Sequence, residues 1–140
     1  MSLLPRGVHF DADQASLVHA VGEFARDELF ALDRKWDIEE SSVAEALPAL
    51  SNLGLLNLLI PPDAGGLGCD YRTFAAIIHE LSVWSPSAAV TVSVHNMVGR
   101  IVQTVEAVLA QFAALMGGRP GGRAPCYNVA TSPALTVVRD

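Results

Sequence analysis

The stretch Ile60-Pro61-Pro62-Asp63-Ala64-Gly65-Gly66-Leu67-Gly68-Cys69-Asp70-Tyr71 decides the fold. Two prolines stop whatever precedes them, and three glycines allow the backbone to fold tightly on itself. Asp70 then stands where a side-chain oxygen caps the start of a helix. The segment predicts a turn-rich connector feeding a helix with Phe74, Ile77, Ile78 and Leu81 inward. Gly65-Gly66-Leu67-Gly68 lacks the Lys-Ser/Thr of a phosphate loop and the complete dinucleotide fingerprint, so it reads as a tight turn.

Working towards the N-terminus, Leu55 to Ile60 is open between a short strand and an extended connector, because six residues do not separate the two by periodicity. Gly54 is placed as a helix stop. Before it, Ser42-Val43-Ala44-Glu45 has the pattern of a capping box opening a helix through Leu53, in which Pro48 should cost a hydrogen bond and bend the element. From Asp11 to Trp36, Leu17, Val21, Phe24, Leu29 and Leu32 recur at steps of three to five, with Asp11 or Asp13 as cap and Arg34-Lys35 in the last turn. That is a long amphipathic helix. Its Glu23, Asp27, Glu28 and Asp33 read as a solvated face and not as paired catalytic carboxylates.

Towards the C-terminus, Ser85-Pro86-Ser87 breaks the helix begun at Asp70. A further helix is predicted from near Ser87 through Val90, Val94, Val98, Ile101 and Val102, followed after little or no break by one from Val105 to Met116. Val90, Val94 and Val98, at i, i+4 and i+8, form one stripe of short branched side chains. Core packing is the plain reading of that stripe. With Thr91, Ser93 and Asn96 as small or uncharged neighbours, a helix along which an unbranched apolar ligand lies is the other. Glycines and prolines crowd Gly117 to Pro133, with Arg119 and Arg123 between them, and no helix is expected there. Ala134 to Val138 would need a strand partner.

The chain has 140 residues, 51% hydrophobic and 17% charged, with a mean hydropathy of +0.34. It is too apolar for a disordered tail, and its length favours one domain with a buried core. Nine Lys+Arg against fifteen Asp+Glu give −6, the wrong sign for gripping a phosphate backbone unless basic residues cluster, which they do not. Nucleic acid is not an expected partner. Residues 1–80 carry a net −8 and residues 81–140 a net +2. No run reaches 18 apolar residues, Ala88 to Val98 being interrupted by Thr91, Ser93, His95 and Asn96, so no membrane span is expected. Asp11 and Asp13 stand where a signal peptide would be apolar.

Cys69 and Cys126 show neither a disulfide framework nor zinc-ligand spacing, which fits a reducing, cytoplasmic setting. His9, His19, His79 and His95 form no HExxH pattern and no hydrolytic triad, so neither a metal site nor catalytic residues are assigned. Cys69, beside a helix start, has no basic neighbour closer than Arg72, and a reactive thiol is not expected there. Glu80 and Glu106 are placed on helix surfaces or caps, and neither is nominated as a base.

The order of motifs is itself informative. Phe24-Ala25-Arg26-Asp27-Glu28-Leu29, then Leu47-Pro48-Ala49-Leu50 with Leu53-Gly54-Leu55, then Ile60-Pro61 and Gly65-Gly66-Leu67-Gly68-Cys69-Asp70-Tyr71, then His79-Glu80-Leu81 and Ser93-Val94-His95-Asn96 together resemble the N-terminal helical domain of acyl-CoA dehydrogenases. The resemblance covers about Val18 to Gly99, and its most specific part is the I-P-x-x-x-G-G-x-G connector. A fainter match runs from Glu106 to Met116.

The resemblance implies an all-α fold, an orthogonal helical bundle of about five helices over residues 1–116, with residues 117–140 a Gly/Pro/Arg-rich tail expected to be poorly ordered. It implies a flavoenzyme of fatty acid metabolism that removes an α-proton and a β-hydride from an acyl-CoA thioester, FAD taking the hydride and an electron-transferring flavoprotein reoxidising it. By family position, Val90, Thr91, Val94 and Val98 line the acyl pocket. The flavin-contacting T-E-P-x-x-G-S-D loop, the β-barrel and the C-terminal glutamate base of the family do not follow Gly117, as a frameshift near that codon or a truncated frame would produce. The chain alone is therefore expected to bind no FAD and to turn nothing over. The alternative is a stand-alone helical module that binds an acyl chain or a protein through the face those missing parts cover, with self-association through that face.

Overall fold

The structure, a computed structural model, describes residues 9–115. The tail expected from Gly117 onward, including the strand considered at Ala134 to Val138, lies outside the described residues. Among those residues the fold is all-α and contains no strand. Helix α1 (Ala12–Phe24) opens on a complete capping box, the Asp11 carboxylate accepting from the Gln14 N–H while the Gln14 side chain accepts from the Asp11 N–H. It continues through a π-helical turn at Ala25–Leu29, where the Phe30 N–H reaches the Ala25 carbonyl, into α2 (Phe30–Glu39). The five-residue step from Phe24 to Leu29 is the sequence trace of this widened turn. It lets Val18, Val21, Ala25, Leu29 and Trp36 all reach the core. Helix α2 runs three residues past the expected end at Trp36 and stops on Glu40, which takes a left-handed φ of 50°.

The capping box expected at Ser42 forms only half. Ser42 Oγ accepts from the Ala44 N–H, but the Glu45 carboxylate turns away to accept from Trp36 Nε1 and Lys35 Nζ, each at 3.2 Å. A bond to an indole and an ammonium outcompetes one backbone N–H. The segment starts as a 3₁₀ turn (Val43–Ala46) and becomes α3 (Leu47–Asn52) at Pro48, whose missing N–H is tolerated in a first helical turn. Gly54, at φ 72°, closes it as expected.

Leu55 to Ile60 is neither strand nor plain connector. It starts as a 3₁₀ turn (Leu55–Asn57) and buries Leu55, Leu56, Leu58, Leu59 and Ile60. The glycine connector folds back on it. The Leu67 N–H donates to the Asn57 carbonyl, Gly68 to Ile60, Cys69 to Leu58 and Gly66 to Pro61. These bonds confirm the tight turn, and Gly66 sits so close that a Cβ there would lie 2.1 Å from the Ile60 carbonyl oxygen.

Helix α4 (Tyr71–Trp84) starts on Asp70, whose carboxylate accepts from the Thr73 N–H at 2.8 Å. It packs between α1 and α5 and buries Ala76, Ile77 and Leu81. Glu80 is a correction to the sequence reading: it is buried beside Gly22 of α1, and is not on the surface. Asp33 also leaves the solvated face assigned to it, accepting from Ser85 Oγ at 2.6 Å across the α4–α5 corner. The break at Ser85 is as expected, but the two helices predicted after it are one, α5 (Pro86–Leu115). No residue from Val102 to Val105 is a glycine or proline, and nothing there interrupts the helical bonds.

Candidate functional site

Helix α5 has one face fixed in the core and one turned outward. Ala88, Ala89 and Val92 are buried. Asn96, fully buried, accepts from the Leu59 N–H through Oδ1 at 3.0 Å and donates through Nδ2 to the carbonyls of Leu55 and Val92 at 2.8 and 2.9 Å. A turn further on, Gly99 lets the helix lie against the Ile60 side chain, which an added Cβ would meet at 2.9 Å. These contacts set the rotation of α5 about its axis.

That rotation places the predicted residues. Val90, Val94 and Val98 are 62%, 48% and 43% exposed, so the stripe is not core packing. Thr91 lies at its edge, half-buried, with its hydroxyl donating to the Ser87 carbonyl at 2.9 Å. It therefore faces a separate groove of about 520 Å³ between α5 and α3, lined also by Leu47, Pro48, Ser51, Leu56 and His95. The structure keeps the three valines together and divides Thr91 from them.

A second groove of about 520 Å³ runs along the other flank of α5, lined by Leu59, Tyr71, Phe74, Met97, Arg100 and Ile101 among others. Sequence reasoning named none of these as site residues. Met97 and Ile101 follow Val94 at i+3 and i+7, and extending the stripe by that rule finds them. Leu59 and Tyr71 reach the groove through the connector, which no periodicity reveals.

The electrostatics of the site are weak. Burial lowers the His95 pKa, and its Nε2 is buried without a hydrogen-bond partner, so at neutral pH this imidazole is uncharged. Burial, with Asp70 adjacent, raises the Cys69 thiol, and Arg72 turns to the Asp70 carboxylate instead. Both effects work against a reactive thiolate, as expected.

A flavin dinucleotide, which the family resemblance implies, meets capped starts at the three longest helices among the described residues. Its pyrophosphate needs converging donors, most often at a helix N-terminus. Here the starts of α1 and α4 are taken by the carboxylates of Asp11 and Asp70. The start of α5 is capped by Ser85, which itself holds the Asp33 carboxylate. What the outward face of α5 offers is apolar surface, at Val90, Val94 and Val98. No group of His, Cys, Asp and Glu among the described residues is arranged to hold a metal ion, and no helix there is long and apolar enough to cross a membrane.

The chain is 34% identical over 80 residues to the human short-chain specific acyl-CoA dehydrogenase, mitochondrial, covering 57% of this chain and 19% of that protein. It is 27% identical over 92 residues to an acyl-CoA dehydrogenase of Bacillus subtilis, covering 66% and 24%. The chain thus spans about a fifth to a quarter of the length of these relatives. No solved structure gives a significant match. The family described as acyl-CoA dehydrogenase, N-terminal domain, matches residues 11–108, which takes in the connector, the Asn96 anchor and the outward stripe, and the chain belongs to that family.

Proposed function

We propose that this chain supplies one helical wall of an acyl-CoA dehydrogenation site, with the alkyl tail of the thioester lying along Val90, Val94 and Val98 and passing the Thr91 edge. The observation that carries this reading is the exposure of three branched apolar side chains on a helix whose opposite face is pinned by Asn96. An alkyl chain covering them gains about 0.8 kcal/mol per buried methylene. The Thr91 hydroxyl, already bonded to the Ser87 carbonyl, asks nothing polar of the ligand.

The chemistry of the family is removal of an α-proton and transfer of a β-hydride to FAD, with an electron-transferring flavoprotein as the onward acceptor. The residues described here bind and orient an alkyl group, but they offer neither a base placed for the α-proton nor a cradle for the dinucleotide. Flavin binding and turnover therefore belong to a larger assembly, and this chain alone is proposed to be inactive. The cytoplasm is proposed as its setting.

The test is a fluorescence titration with saturated acyl-CoAs of increasing length. Affinity should rise roughly three- to fourfold per methylene until the stripe is covered, Val94→Asp should weaken binding more than tenfold, and FAD added to the chain should remain unbound. Affinity independent of chain length would refute the acyl reading, and a stoichiometric flavin with bleaching by acyl-CoA would refute the inactivity.

A further inference from the structure

The outward face of α5 does not stop at Val98. Val94, Val98, Ile101, Val105, Val108 and Phe112 are all exposed, and they follow one another at steps of four, three, four, three and four residues. That is the seam of a coiled coil, with β-branched residues at five of the six positions. The pattern is also symmetric about Gln103. An identical helix laid antiparallel across it sets Ile101 against the partner's Val105, Val98 against the partner's Val108 and Val94 against the partner's Phe112. We infer that this face pairs with a second copy of the chain, α5 against α5, antiparallel, with the two-fold axis at the level of Gln103.

Area and charge both favour that occupant. With Met97, Leu109 and Leu115 the face presents nine exposed apolar side chains, which closed against an identical face give an interface on the scale of the ~800 Å² per partner of a standard one; contiguous apolar patches of that extent mark association sites. The chain carries −6 overall and residues 1–80 carry −8, yet α5 contains only Arg100 and Glu106 as charged residues, and the seam contains none. Among the described residues it is a long apolar face on which two copies of an acidic chain meet without like charges opposed. The buried members of α5, Ala88, Ala89, Val92 and Asn96, all lie in its N-terminal half, so the acidic body of each chain sits at that end of the helix. Antiparallel pairing sends these two bodies to opposite ends of the pair, whereas parallel pairing would set them side by side, and the helix dipoles favour the same choice. The pair covers Val94 and Val98, so it competes with the alkyl chain proposed above and describes the ligand-free chain; a chain that binds no thioester presents the same seam.

The test is the mass of the 140-residue chain by light scattering over a concentration series, with oxidative cross-linking in a Cys69→Ser, Cys126→Ser background. A dimer is expected. Ile101→Glu should reduce it to a monomer with unchanged helical circular dichroism, while Val83→Glu, which replaces an exposed apolar residue off the seam, should leave the dimer intact. Val98→Cys and Val108→Cys chains, mixed and oxidised, should cross-link to each other in preference to themselves. A monomer at every concentration, a dimer that survives Ile101→Glu, or dominant Val98→Cys self-cross-links would overturn the inference.

Discussion

The Leu59 N–H donates to Asn96 Oδ1 at 3.0 Å across 37 residues of sequence. This one amide decides which face of α5 the molecule shows. Its Nδ2 is committed to the carbonyls of Leu55 and Val92, so every polar atom of a fully buried side chain is used. The connector that the sequence marks with prolines and glycines is thereby fastened to the helix that carries the candidate site.

Asn96→Ala should cost about 2 kcal/mol, because it leaves the Leu59 N–H buried without the side-chain oxygen it donates to. Asn96→Asp should be no milder at neutral pH, since a carboxylate would face two carbonyls it cannot satisfy. Urea denaturation followed by circular dichroism reads both. A loss under 1 kcal/mol for Asn96→Ala would show that water replaces the amide and that the anchor is dispensable.

The glycines of the connector are not equivalent. Gly65 has a φ of 84° but open space around its Cα, so Gly65→Ala should cost about 1 kcal/mol of backbone strain. At Gly66 an added Cβ overlaps the Ile60 carbonyl. The backbone itself would have to move, and Gly66→Ala should cost more than about 2 kcal/mol. Thermal denaturation of the two variants side by side tests the ranking, and equal losses would contradict it.

Much of this was legible in the sequence because it rests on local chemistry. Asp11 and Asp70 cap helices since a carboxylate beside three successive N–H groups has little else to do, and Gly54 ends a helix through its own backbone freedom. The half-formed box at Ser42 was not legible, because Trp36 and Lys35 compete for Glu45 from another helix. The outward rotation of Val90, Val94 and Val98 was also hidden. An i, i+4, i+8 stripe looks the same whether a core or solvent faces it, and the buried members of α5 are small residues and an asparagine that a hydrophobicity pattern passes over.

Histidine 95 should make stability depend on pH in a narrow window. Burial lowers its pKa in the fold, and its groove-lining neighbours Leu47, Pro48, Leu56 and Thr91 carry no charge. Below about pH 6.5 the unfolded chain takes up a proton at this site while the folded chain resists it until the lowered value is passed. Stability should therefore be full above the ordinary histidine value and fall as the solution is acidified through it. Comparing denaturation midpoints at mildly alkaline and mildly acidic pH checks this. His95→Gln should flatten the slope, and a slope equal to that of the parent would assign it to other groups.

Val92 and Val94 sit two residues apart on α5 with opposite fates: the first is fully buried and the second is 48% exposed. Val92→Ala opens a cavity in the packed layer beside Ala88 and Ala89 and should cost about 2 kcal/mol. Val94→Gln removes nothing from the core and should change stability by less than about 0.5 kcal/mol, while weakening acyl-CoA binding and loosening the α5 pair. If Val94→Gln were as damaging as Val92→Ala in a monomeric, ligand-free sample, α5 would have to be rotated from the orientation that Asn96 imposes, and both the proposed alkyl wall and the coiled-coil seam would lose their basis.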